Sequence, residues 1–406
     1  MNDGAVAATL STLLAELAPI GRHPGSGGYR RYAWTAADLG CRDWFTATAR
    51  ARGMAVDEDG NGNLWAWWGT PAPGAVVTGS HLDSVPDGGA YDGPLGVVSG
   101  FAAVDVLRTR GVRPARPLAV VSFTEEEGAR FGVACLGSRL LTGRLDGDTA
   151  RGLRDTDGVT LAEAMAAAGR RTDQLGHDED RLARVGAFVE LHVEQGRGLV
   201  EVGAPVGVGR RIWPHGRWRL EFHGSADHAG TTHLADRADP MLPLAHTVLA
   251  ARAVALRSGA LATVGRLDVS PNATNAVPAV ARAWLDARAP DDDLLREVVT
   301  EVTRQARAAA DPHAVRVVDT CESLSPATSF TGPLQDRVCA VLGTAPLLDT
   351  GAGHDAGVLA GHVPSVMLFV RNPSGVSHAP DEQAEPADCV AGVLALAHVL
   401  EDLVTR

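Results

Sequence analysis

Histidines and carboxylates recur in this chain in short groups, and most of the groups directly follow apolar, β-branched runs. Gly79-Ser80-His81-Leu82-Asp83 leads into Gly88-Gly89-Ala90-Tyr91-Asp92-Gly93. Further along stand Thr124-Glu125-Glu126-Glu127-Gly128, Glu190-Leu191-His192-Val193-Glu194-Gln195-Gly196 and Ser377-His378-Ala379-Pro380-Asp381-Glu382. A neutral imidazole and a carboxylate are both zinc donors, and a carboxylate's two oxygens can bridge two ions. Asp83, two residues after His81, can accept the imidazole's second N–H and fix its tautomer. Of adjacent glutamates, one can bind metal while the other takes a proton from water activated by the metal. Taken singly, each group has a plainer reading. His81-x-Asp83 fits a polar loop with a capping Asp, the glutamate run fits a helix N-terminus, and His192 fits a satisfied core histidine. Ser225-Ala226-Asp227-His228-Ala229-Gly230-Thr231-Thr232 is open in the same way. Gly351-Ala352-Gly353-His354 allows close backbone approach to a ligand, but it lacks the residues of a phosphate loop.

These groups need elements to position them. Apolar runs over 74–82, 117–124, 188–193 and 363–370 read as buried strands, and helices are expected over 10–17, 42–53, 95–109 and 387–403. Apolar strands alternating with helices argue an α/β fold with a mostly parallel sheet covered on both faces, which places ligand sites beyond the strands' carboxyl ends. From about 210 the pattern changes to strand 217–222, helix 240–256, strands 262–269 and 277–288, helix 291–310 and strand 314–319. That β-α-β-β-α-β order is the pattern of a ferredoxin-like α+β sandwich. The expected organisation is a discontinuous catalytic domain, 1–209 and 322–406, interrupted by a smaller domain, 210–321.

The chain has 406 residues, 45% of them hydrophobic and 21% charged, with a net charge of −12. An acidic chain without basic runs is a poor partner for nucleic acid or an anionic membrane. All its basic side chains other than histidine are arginines, which excludes chemistry that needs a Schiff-base or Walker lysine. The five cysteines are scattered without a CxxC pair, so a reducing compartment, the cytoplasm, is expected. There is no signal-peptide pattern at the N-terminus. No Gly-x-Ser-x-Gly elbow supports a serine hydrolase, and no cysteine lies in a histidine-rich motif to support a thiol nucleophile.

Taken together and in order, the motifs from Arg30–Trp34 through Glu382 resemble the dinuclear metal amidohydrolases of the M20 peptidase-like superfamily. The pattern is most similar to the branch of N-carbamoyl-L-amino-acid hydrolases and allantoate amidohydrolases. The resemblance implies two divalent ions, zinc first, with manganese, cobalt or nickel compatible. His81 and His378 would be terminal ligands and Asp92 the bridge; His192 would join the ion of His81 and Glu127 that of His378. Glu126 would be the general base. His228, in the inserted domain, would stabilise the oxyanion in the partner subunit of a homodimer. Asn275 and Arg288 would grip the substrate carboxylate, with Gln195 and the Gly353 backbone as further contacts. The implied reaction is hydrolysis of the ureido C–N bond of allantoate or an N-carbamoyl-L-amino acid. Alternatives are an N-acyl or N-formyl amidase, a dipeptidase, or a catalytically silent metal- or metabolite-binding protein. One departure is His233-Leu234, where the family usually has Pro-Met; Arg237 and Asp239 still fit, and Tyr91 leans to the carbamoylase side.

Overall fold

Four strands run parallel at the centre of the main sheet, in the spatial order Leu118–Phe123, Ala75–His81, Val185–Val193 and Ser365–Val370. Their β-branched, apolar sequences leave almost nothing exposed on either face, as a sheet covered on both sides requires. Helices Pro94–Thr109 and Pro386–Thr405 pack together over one face, sharing a core with Leu191, Val366 and Leu368. Each opens on a proline, whose fixed φ suits the first helical turn and whose missing N–H costs nothing there. Antiparallel strands Leu64–Trp68 and Val206–Ile212 flank the parallel core in a mixed sheet of nine strands. The structure is a computed structural model describing residues 1–406, and no helix in it is long and apolar enough to cross a membrane.

Strand register decides where the chemistry lands. His81 ends its strand opposite Phe123, so the glutamates at 125–127 lie just beyond the same edge of the sheet. His192 pairs with Phe369, one residue before the end of its strand. Asp92 arrives on the loop that precedes helix Pro94–Thr109.

The chain forms two compact units, Met1–Arg211 with Ser329–Arg406, and Ile212–Thr328. The second is a four-stranded antiparallel sheet in the order Arg316–Ser325, His215–His223, Val280–Arg288, Leu261–Ser270. Helices Met241–Ser258 and Asp292–Ala310 pack together with it around Leu220, Phe222, Leu285 and Val302. Asp291 caps the second of these by accepting from the Leu294 amide at 2.8 Å, and Asp292 and Asp293 face the positive end of its dipole.

Several local expectations change. The last strand, expected to stop at 319, continues to Ser325 because His215–His223 pairs along its whole length; its polar residues hid that continuation. Strands Ala55–Glu58 and Leu64–Trp68 form a hairpin that the tryptophan-rich sequence did not advertise. The glutamate run opens no helix: residues 124–127 form a bend, Glu125 is left-handed at φ 54°, and the next helix starts at Leu136.

Gly79 is required by this sheet. Its φ is +147°, and a Cβ there would sit 1.9 Å from the Val121 carbonyl oxygen. Gly79→Ala is expected to destabilise the chain by about 3 kcal/mol or more, read from urea unfolding; an unchanged midpoint would contradict this close approach.

Candidate metal centre

Five of the residues singled out in the sequence meet at the carboxyl edge of the sheet. Asp92 Oδ1 lies 3.6 Å from His81 Nε2 and 3.3 Å from His192 Nε2. Its other oxygen, Oδ2, lies 3.5 Å from His378 Nε2, which is 3.5 Å from Glu127 Oε2. The ligand atoms of His81, Asp92 and His192 fall within 4.8 Å of one another, and so do those of Asp92, Glu127 and His378. One carboxylate thus divides its oxygens between two groups of donors. The first group is buried, whereas His378 is half exposed at the mouth of the site.

Hydrogen bonds settle the tautomers. His81 Nδ1 donates to the Asp83 carbonyl at 3.1 Å, and His192 Nδ1 donates to the Val193 carbonyl at 2.8 Å. A carbonyl only accepts, so the hydrogen sits on Nδ1 and the Nε2 lone pair faces Asp92. Both Nε2 atoms are buried without a hydrogen-bond partner, and each such atom costs about 1–3 kcal/mol.

The surrounding carboxylates tell the same story. Burial, with Asp92 adding, pushes Glu127 up to about 8 and Glu382 up to about 7. Burial drives Glu126 well above the carboxylate range. Burial opposes the charge on Asp92, but His192 and His81 hold its carboxyl well below the usual range. The basic groups nearest these carboxylates in the structure are imidazoles, not arginines. Like charges about 4 Å apart repel by about 4 kcal/mol at an effective dielectric of 20. Aligned lone pairs and crowded carboxylates without arginine fit divalent cations.

The supports come from distant segments. Asp83 accepts from the Glu126 amide with Oδ1 and from the Glu127 amide with Oδ2, both at 3.1 Å. Asp83 also faces His81 Nδ1, with its carbonyl at 3.1 Å and its Oδ1 at 3.4 Å, so one residue serves both the ring and the glutamate bend. Glu382 Oε1 accepts from the Tyr91 and Asp92 amides at 2.9 and 3.0 Å. Gly93, at φ +82°, leaves room for the His81 ring, which a Cβ would meet at 2.5 Å. Gln195, expected against substrate, donates to Asp92 Oδ2 at 2.8 Å and to Ser377 Oγ at 3.1 Å. Gly353 is half-buried just before His354, whose ring lies 4.5 Å from that of His192.

Sequence reasoning gave no role to Glu382, His354 or Cys135. The first two were visible within motifs. Cys135 was not, since it lies in no histidine-rich motif, yet folding puts its thiol 3.2 Å from Glu126 Oε1. It is still no nucleophile, because burial, with Glu126 beside it, raises the thiol well above its ordinary range.

His228, Asn275 and Arg288 belong to the second unit. His228 and Asn275 come together there: His228 pairs with Ala276, and the Ala229 amide donates to the Asn275 carbonyl at 3.1 Å. His228 Nδ1 accepts from the Gly230 and Thr231 amides at 2.9 and 3.1 Å. The ring hydrogen is therefore on Nε2, which makes that atom a donor. Arg237 ties the loop by donating to the Ala229 and Thr232 carbonyls at 2.6 and 2.9 Å. Arg288 ends its strand with Nε 2.9 Å from Asp286 Oδ1.

The profile of peptidase family M20/M25/M40 matches residues 77–402. The chain belongs to this family. It is 37% identical over 401 residues to an N-carbamoyl-L-amino acid amidohydrolase of Geobacillus stearothermophilus, covering 96% of this chain and 97% of that protein. It is 31% identical to an allantoate amidohydrolase of Escherichia coli, covering 95% of each. Among solved structures, a hydantoinase/carbamoylase-family amidase of Burkholderia vietnamiensis matches with a TM-score of 0.90 at 30% identity, covering 98% of each chain. Membership of M20/M25/M40 makes this chain a hydrolase of carbon–nitrogen bonds, and these relatives are named for amides other than peptides.

The shared fastening of both glutamates by Asp83 makes a sharp expectation for this M20 centre. Asp83→Ala should weaken divalent-metal affinity about 10- to 100-fold, measured by chelator competition. Affinity equal to that of the unaltered protein would leave the fastening without consequence.

Proposed function

We propose that the protein is a two-metal amidohydrolase that cleaves the ureido C–N bond of an N-carbamoyl-L-amino acid or of allantoate. The observation that carries this reading is Asp92, its oxygens split between two donor groups, with Glu126 Oε2 close by at 3.8 Å from His81 Nε2. His81 and His192 would hold one ion, Glu127 and His378 the other, and Asp92 both. Zinc is the first expectation, while manganese, cobalt and nickel suit the same donors. Two such ions supply Lewis acidity toward a carbonyl oxygen and bring the pKa of water to about 7.

The chain's own residues do the rest. Glu126 takes a proton from water and returns it to the leaving nitrogen. His228, a donor at Nε2, stabilises the oxyanion. Arg288 suits a carboxylate through its forked N–H groups, and Asn275, which precedes the opposite end of strand Val280–Arg288, is the other proposed contact to substrate. Gln195 and the Gly353 backbone complete the substrate contacts, and Gln195 then exchanges its bond to Asp92 for one to substrate. The similarity to the Geobacillus carbamoylase, higher than that to the Escherichia coli allantoate enzyme, favours the carbamoyl amino acid. All five cysteines are free, in keeping with a cytoplasmic enzyme.

The reading includes a homodimer built through the second unit, with His228 serving the partner's centre. Leu242, Leu249 and Leu256, seven residues apart on helix Met241–Ser258, are 51%, 71% and 72% exposed. The neighbouring strand Leu261–Ser270 is an edge of its sheet and carries exposed Leu261 and Leu267. An apolar helical stripe beside an open strand edge suits a second copy of itself.

Two experiments test this. Ammonia release is measured from carbamoyl amino acids and allantoate, and release of free amino acid from formyl amino acids and dipeptides, with elemental analysis of the metal. Glu126→Gln should lose about 10²–10⁴-fold in turnover while keeping two ions per chain; no turnover by the unaltered, metal-loaded protein on any of them would sink the reading. Leu249→Arg should yield monomers by light scattering that retain metal yet lose turnover, and an active monomer would refute the shared site.

A further inference from the structure

Glu126 is gripped at both ends by one residue nine positions later. The Cys135 amide donates to the Glu126 carbonyl at 2.6 Å, and the Cys135 thiol donates to the carboxylate at Oε1. The grip extends along the chain, since the Leu136 amide bonds the Glu125 carbonyl at 3.1 Å and the Gly137 amide bonds the Thr124 carbonyl at 2.9 Å. Cys135 is buried and left-handed at φ 54°, a conformation uncommon outside glycine. That backbone turns both its N–H and its side chain toward Glu126.

Building on the general-base reading of Glu126, we propose that Cys135 is a positioning residue, its buried thiol pinning Oε1 so that Oε2 faces the reacting water. The geometry assigns the two oxygens different work: Oε1 rests on sulfur, and Oε2 is the oxygen turned toward His81. A thiol is a weak donor, so it orients the carboxylate while withdrawing little of the charge a base needs. Without it, Glu126 is free to rotate, and small misplacements of a reacting group are expensive in rate.

The test uses the full-length, metal-loaded protein and whichever substrate it turns over best. Cys135→Ala should lower kcat roughly ten- to a hundredfold, leaving KM and metal content within about twofold of the unaltered protein. Cys135→Ser, which restores a donor on the same carbon, should recover most of the loss. An alanine variant with unaltered kcat overturns the proposal; so does a serine variant as impaired as the alanine one, or a loss that tracks metal content. Should the alanine protein fail to fold, Cys135→Gly replaces it, because glycine accepts the positive φ and likewise lacks the donor. An inactive parent protein would count against the amidohydrolase reading; an active parent with an indifferent Cys135 counts against the positioning role alone.

Discussion

The whole arrangement turns on Asp92, one buried carboxylate whose two oxygens face two different sets of donors. His81 and His192 approach one oxygen with their unprotonated nitrogens, and His378 approaches the other. Such an arrangement is costly unless positive charge sits within it, because buried carboxylates repel and buried lone pairs without partners are unfavourable. The second layer serves this carboxylate: Glu382 fixes its backbone, Gln195 its side chain, and Gly93 the space for the neighbouring ring.

The sheet makes that convergence possible. Four parallel strands, covered on both faces, bring their carboxyl ends to one edge, and the polar residues beyond the apolar runs collect there. The bend at the glutamates depends on contacts from elsewhere, with Asp83 binding two amides and residues 135–137 binding three carbonyls. The candidate ligands sit at strand ends (His81, His192) and on the loops that follow (Asp92, Glu127, His378), so the strands give them a rigid base.

The second unit works by a different device. Two amides on His228 Nδ1 leave the hydrogen on Nε2, so the ring is prepared as a donor before anything binds. Arg237 closes the same loop through carbonyls, which explains why an arginine is useful there: its fork reaches two of them at once.

The family resemblance implied the grouping of His81, Asp92, Glu127, His192 and His378; periodicity and residue type were enough to read the buried strands, the long helices and the change of pattern near 210. These features are local, and hydrophobic burial imposes them wherever they occur. Folding alone determined which oxygen of Asp92 meets which imidazole, and that Asp83 fastens the glutamates as well as facing His81. Only the folded chain brings Cys135 onto Glu126 and carries the strand ending at Ser325 past its polar residues. Those outcomes depend on contacts between segments far apart in sequence and on the positive φ of Glu125 and Cys135, and neither leaves a periodic trace in the order of amino acids.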